Sequence, residues 1–394
     1  MLEMGLPLSG VAWLSQFHSL LPSEFSSCLN TNISPKELIT SLGHKKGSSN
    51  VKEEFIRELP PLDQYKAPKY PIVLCHGLSG FDKLILIPSV YQLTKMIKAC
   101  ILSNHSDSFM EDSTDDDYKE EAFLHVDYWI GIREALEAKG CTVITAKVPS
   151  FGSIEERAKA LNNFIDTELG RMKRNLSKSD VYNTKEKSSS SFTEDDKIKV
   201  NLIAHSMGGL DCRYLITNIP NKNFKVSSLT TISTPHHGSE MADYVVNLFN
   251  DITDNFDLKV KKKLLPPAFY QLTTSYCSYF NNVTPDDPEV SYFSYGACFH
   301  PRWYNMFYMP WNIINNLSGG VPNDGMVSVE SARWGNYLGT LENVDHSDLI
   351  NWKNRIQKQL QYRIQDAVKT PQIPDIDILH FYLKITEDLA KLGF

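Results

Sequence analysis

The sequence predicts an α/β protein, a mostly parallel central sheet with helices on both faces, and three observations carry that prediction. Short runs such as Ile72 to Cys75 are apolar at every position, the mark of strands buried on both sides. Segments with helical spacing of apolar residues alternate with those runs. At 198–209 the chain reads Ile-Lys-Val-Asn-Leu-Ile-Ala-His-Ser-Met-Gly-Gly, a strand stopped abruptly by a serine held between small residues.

Taken in order, residues 1–65 show no clear period and run into Leu-Pro-Pro-Leu, so they read as an extension ahead of a main domain over 66–394. The first strand, Ile72 to Cys75, is followed by a loop over 76–81. A span of eight carboxylates around Lys119, from Asp107 to Glu121, marks a solvated insertion over 104–122. Val126, Trp129, Ile130 and 133–136 then recur at helical spacing until Gly140 stops them, and 141–147 reads as the next strand. Ser153 followed by Glu156 makes a capping box, after which Ala158, Leu161, Phe164, Ile165 and Leu169 mark one apolar helix face. A second polar insertion, 173–197, leads to the strand before Ser206. Further strands are expected at 229–232 and 290–295.

Composition bounds the function. A chain of 394 residues with 42% hydrophobic and 22% charged side chains supports a large core, and its net charge of -7 argues against a nucleic-acid partner. The seven cysteines show no metal spacing; Cys75 and Cys141 read as buried, and pairing among the others stays open. Residues 4–23 carry no charge but are too polar for a membrane span, and the first 35 residues hold no Arg or Lys, so neither a secretory signal nor a transit peptide is expected from composition.

The serine turn is where chemistry is expected. Ala204, Gly208 and Gly209 leave room for a sharp strand-to-helix turn with Ser206 at its apex, Ala204 standing where glycine is usual. A serine hydroxyl needs a histidine base and a carboxylate to orient it, in the chain order Ser, Asp, His for an α/β-hydrolase. Asp324 in Pro-Asn-Asp-Gly is the expected orienter and His346 in Asp-His-Ser-Asp the expected base. Asp345 abuts His346 and is badly placed to reach its ring; Asp348 is expected to cap the helix near Leu349, and His380 to pack in an amphipathic helix. His236 and His237 face apart and lack carboxylate spacing for a metal. The oxyanion formed at Ser206 needs two donors: the N–H of Met207 and, from the loop after the first strand, the N–H of Leu78 between Gly77 and Gly80.

These residues carry a resemblance. The stretches 71–82, 204–209, 233–238 and 323–325, with Asp345 and His346, resemble bacterial true lipases of the Pseudomonas and Burkholderia type, and from about Pro60 onward the chain is more similar still to the mitochondrial triacylglycerol lipases of budding yeast. The resemblance implies hydrolysis of acylglycerol esters through an acyl-enzyme, lipid as substrate, contact with a lipid or membrane interface, and a mitochondrial address. It also implies a helical lid over 239–275, with Phe81, Met241, Val245, Leu248 and Phe249 facing substrate. The bacterial relatives hold calcium near the catalytic histidine; here Asp348 occupies one ligand position, but no Asp or Glu lies from Phe299 to Asn323 and Trp352 stands where an oxygen ligand belongs. No metal or other cofactor is therefore expected. The rival readings are a phospholipase or acyltransferase using the same three residues, and a non-catalytic lipid-binding protein on the same scaffold.

Overall fold

The computed structural model describes residues 55–62, 64–78, 128–179, 197–253, 265–303, 305–352 and 376–394. The chain divides into two compact units. In the smaller, the described residues lie in Pro301–Tyr308, where the N–H groups of Asn305 and Tyr308 close successive turns onto the carbonyls of Arg302 and Asn305. The larger, Glu54–His300 with Met309–Phe394, is built on one seven-stranded sheet.

Its strands are β1 (Phe55–Ile56), β2 (Ile72–Cys75), β3 (Val143–Thr145), β4 (Ile198–His205), β5 (Phe224–Ile232), β6 (Ser291–Cys298) and β7 (Asn336–Glu342), in the order β1-β7-β6-β5-β4-β2-β3. Every pairing is parallel. Among the described helices are α1 (Ile132–Ala138), α2 (Ile154–Ser179), α3 (Gly208–Asn218), α4 (Glu240–Ile252), α5 (Pro267–Gln271), α6 (Thr274–Val283), α7 (Tyr308–Leu317), α8 (Val329–Ala332) and α9 (Ile378–Lys391). No described helix is long and apolar enough to cross a membrane.

The unbroken apolar run of β2 has a direct structural cause. Ile72 and Leu74 join Trp129, Ile132, Leu136 and Phe381 on one face, while Val73 and Cys75 join Ala158, Leu161, Ile165 and Leu215 on the other. Alternate side chains of one strand thus enter two cores, and each fully buried Ile or Leu contributes about 1.5–3 kcal/mol. The capping box at the start of α2 is reciprocal: the Glu156 carboxylate accepts from the Ser153 N–H at 2.8 Å, and the Ser153 hydroxyl oxygen accepts from the Glu156 N–H at 3.2 Å.

Several sequence expectations change. The main domain begins before residue 66, because Phe55 and Ile56 pair in parallel with Thr340 and Leu341 as an edge strand. Two residues carry no period of their own, so their strand exists only by virtue of β7. The helix expected to end before residue 173 runs on to Ser179, and the remainder of the second insertion, 180–196, lies outside the described residues, as do 104–122 and Phe81. Cys75, Cys141, Cys212 and Cys277 are free, buried thiols and Cys298 is buried, whereas Cys28 and Cys100 lie outside the described residues.

Candidate active site

Strand β4 ends at His205, and Ser206 follows at φ 56°, a left-handed conformation strained for any residue with a side chain. The strain is tolerated because Gly208 and Gly209 accept neighbours that a side chain would exclude. A Cβ on Gly208 would fall 2.6 Å from the Cys75 carbonyl oxygen, and one on Gly209 would fall 2.2 Å from Thr234 Oγ1. Ala204, paired with Cys75 and Thr231, is fully buried, so smallness suffices at that position. The turn leaves Ser206 partly exposed at the C-terminal edge of the sheet.

Asp324 and His346 converge on it. Asp324, fully buried after α7, holds His346 twice: its Oδ2 lies 2.7 Å from His346 Nδ1, and its backbone carbonyl accepts from the His346 N–H at 3.0 Å. The other carboxylate oxygen accepts from the N–H groups of Met326 and Val327 at 2.9 and 2.8 Å, which fixes the plane of the group. A carboxylate only accepts, so Nδ1 carries the proton, and Nε2, 3.0 Å from Ser206 Oγ, is left to accept from the hydroxyl. The three residues expected from sequence are thus brought into one hydrogen-bonded line.

Behind His346 lies a second imidazole that sequence reasoning missed. His205 packs its ring 4.5 Å from that of His346, and Tyr128 OH lies 2.7 Å from its Nδ1. Burial, reinforced by the neighbouring His346, pushes His205 well below the usual histidine range, so it stays neutral and adds no positive charge against a protonated His346. The Tyr128 oxygen also accepts from the Gly77 N–H at 2.8 Å, joining the nucleophile strand to the loop after β2.

That loop is held from behind. Arg157 on α2, fully buried, forms an ion pair with Asp211 at 2.8 Å and donates to the carbonyls of His76 and Gly77 at 2.9 and 3.0 Å. His76 Nε2 accepts from the Val148 N–H at 3.2 Å, so Nδ1 carries the proton and donates to the Gly77 carbonyl at 3.0 Å. Burial, with the Arg157 charge nearby, pushes His76 down to about 3, which keeps the ring neutral. Two donors therefore pin the Gly77 carbonyl, and with it the peptide group that bears the Leu78 N–H. A Cβ on Gly77 would come within 2.7 Å of Ser206 Cβ, so the loop runs directly beside the serine.

The helix expected as a lid packs its apolar face inward. Met241 and Phe249 are buried and Val245 and Leu248 half-buried; Phe249 shares a cluster with Val246, Leu265 and Phe269, against which Leu78 and Val245 pack. The Leu78 side chain also meets the cluster that holds Met207, Leu210 and Ala242.

Other expectations shift. The short helix after the base, Asp348–Ile350, has Ser347 rather than Asp348 at its N-cap, and Asp345 supplies the acceptor there: its Oδ1 accepts from the Ser347 N–H and hydroxyl and from the Asp348 N–H. Asp348 stands in the first turn, and its Oδ2 accepts from the Asp345 N–H at 3.3 Å. Both carboxylates accept hydrogen bonds within this turn, and among the described residues there is no group of three or more His, Cys, Asp or Glu that could hold a metal ion. His236 is buried with Nε2 2.9 Å from Thr231 Oγ1, and His380 meets the Pro60 carbonyl at 2.9 Å. Arg157, Asp211, Tyr128 and His205 had no role assigned to them from the sequence. Arg157, a charged residue beside the apolar face of α2, was the one visible signal.

A fully parallel sheet with a serine at a strained strand-to-helix turn, backed by aspartate and histidine in that chain order, defines an α/β-hydrolase. The chain belongs to the family described as palmitoyl protein thioesterase, whose model matches residues 71–296. It is 51% identical over 350 residues to Triacylglycerol lipase 2 of Saccharomyces cerevisiae, spanning 89% of this chain and 100% of that one. A triacylglycerol lipase of Vibrio cholerae is 26% identical over 318 residues, 73% of this chain and 81% of its own. Among solved structures, lipase 1 from Pelosinus fermentans aligns at a TM-score of 0.48 and 18% identity, covering 83% of this chain and 100% of that one. The chain is a hydrolase of the lipase type.

Proposed function

We propose that the chain hydrolyses acylglycerol esters through an acyl-enzyme on Ser206. One observation carries the reading: Ser206 Oγ lies 3.0 Å from His346 Nε2, whose Nδ1 lies 2.7 Å from the buried Asp324 carboxylate. His346 takes the hydroxyl proton as Ser206 attacks the ester carbonyl. The oxyanion meets the N–H groups of Leu78 and Met207, His346 returns its proton to the departing alcohol, and water activated by His346 frees the fatty acid. The relative named a triacylglycerol lipase supports the substrate class. A second reading, hydrolysis of a palmitoyl thioester, is favoured by the family description and needs the same residues.

Purified chain and its Ser206→Ala variant, compared on tri-, di- and monoacylglycerol, phospholipid and palmitoyl thioester, test this. Release of fatty acid from acylglycerol by the parent alone is the expected result; equal release by both ends the assignment, and preference for the thioester replaces the substrate. The lack of any Asp or Glu from Phe299 to Asn323, with Trp352 where an oxygen ligand belongs, supports a reaction without calcium, so chelation is expected to leave the rate unchanged. A mitochondrial address rests on the resemblance, and fractionation of cells expressing the full chain with a C-terminal tag tests it.

A further inference from the structure

Met207 N–H is one of the two expected oxyanion donors, and a donor is useful only if it is aimed. In a trans peptide the N–H and the preceding carbonyl share one plane and point opposite ways, so whatever grips the Ser206 carbonyl sets the direction of the Met207 N–H. Ser206 sits at φ 56°, where a residue with a side chain does not rest unaided. Its carbonyl accepts from the Gly209 N–H at 3.1 Å and from the Thr234 hydroxyl at 2.8 Å. The first bond is local to the turn. The second arrives from the chain beyond β5 and anchors the turn to the body of the sheet.

Thr234 is itself well anchored. Ser233, at φ 45°, turns the chain at the end of β5, its N–H donating to the Tyr295 carbonyl on β6 at 2.9 Å, and the Thr234 carbonyl accepts from the His236 N–H at 2.8 Å. Thr234 is fully buried, and its side chain occupies the space that Gly209 leaves open. The second glycine of Ser-Met-Gly-Gly thus makes room for this hydroxyl. Just as Arg157 and His76 hold the Gly77 carbonyl, Thr234 holds the Ser206 carbonyl.

We propose that Thr234 is a positioning residue that aims the Met207 N–H at the oxyanion, a role that rests on the reading of Ser206 as nucleophile. A side chain that merely fills space would be replaced without loss by valine, which has the same shape and no hydroxyl.

The test compares the parent, Thr234→Val, Thr234→Ser and Ser206→Ala on a short-chain p-nitrophenyl ester, with kcat and KM separated. Removal of an oxyanion donor costs about 10²–10³ in turnover, so loosening one should lower kcat of Thr234→Val by about 10-fold or more with KM within about twofold of the parent. Thr234→Ser, which keeps the hydroxyl, should recover most of it. A kcat for Thr234→Val within twofold of the parent, or no recovery with Thr234→Ser, overturns the role of Thr234. Activity retained by Ser206→Ala instead overturns the nucleophile itself. If valine beside Gly209 prevents folding, Thr234→Ala reads the same split between kcat and KM.

Discussion

Arg157 and Asp211 form an ion pair at 2.8 Å that is sealed from solvent, and the same guanidinium reaches the carbonyls of His76 and Gly77 beside the reactive serine. Burial pushes the Asp211 carboxyl up to about 6 against the pull of Arg157. The pair therefore spends desolvation energy on the geometry of a loop.

Two effects of this pair should separate. Asp211→Asn leaves a buried positive charge uncompensated and is expected to cost about 3–5 kcal/mol of stability by denaturant unfolding. Arg157→Met with Asp211→Leu removes both charges and should recover much of that stability while kcat falls, because the His76 carbonyl then loses its donor from Arg157 and the Gly77 carbonyl keeps only the bond from His76.

Asp324→Asn replaces an acceptor by an amide that favours the wrong tautomer of His346. Turnover should fall by about 10⁴-fold, while serine-directed phosphonate labelling slows in parallel and the folded structure persists by circular dichroism. A loss under about 10-fold would remove Asp324 from the proposed mechanism.

Acid should unfold this protein through its buried histidines. His76 is pushed down to about 3, and His205 and His236 lie well below the ordinary value, each chiefly by burial. Folded imidazoles that resist protonation favour the folded state above the unfolded value of about 6.5, and that advantage drains away as pH falls toward the folded values. Each histidine contributes a slope of up to about 1.4 kcal/mol per pH unit below 6.5. Unfolding free energy measured from pH 7 to 4 should fall steeply, and the fall should flatten for His236→Gln.

Phe249 is buried to 1% exposure in the cluster that also receives Leu78. If α4 opens at an interface, Phe249→Asp should raise turnover on monomeric ester relative to emulsified ester, measured at matched concentrations. An unchanged ratio would assign α4 to the permanent core.

Local chemistry made much of the fold legible. The apolar runs of β2 and β4, the Ser153–Glu156 cap and the small residues around Ser206 each announce themselves within a few positions, because burial on both faces, capping and tight turns are short-range demands. β1 was invisible, since Phe55 and Ile56 become a strand only by pairing with Thr340 and Leu341. Of the supporting shell, only the charge of Arg157 beside an apolar helix face was a signal. Arg157, Tyr128 and Thr234 act on backbone groups far away in the chain, and a carbonyl recipient leaves no mark on the sequence around its donor. Asp345 supplies the acceptor expected of Asp348, because either spacing reaches the start of the short helix and only the turn geometry chooses.

The double link between His346 and Asp324, side chain and backbone together, contrasts with the single 3.0 Å bond from His346 to Ser206. Base and orienter behave as a wheel on a fixed axle, held at hub and rim, while the serine meets that wheel at one point of contact. A proton courier needs such freedom at its delivery end, since Nε2 must serve the serine, the departing alcohol and the incoming water in turn. Disturbance of the neighbouring helices would then break contact at Ser206 first and spare the His346–Asp324 pair, so that activity could lapse and return without the charge-bearing half of the machinery ever coming apart.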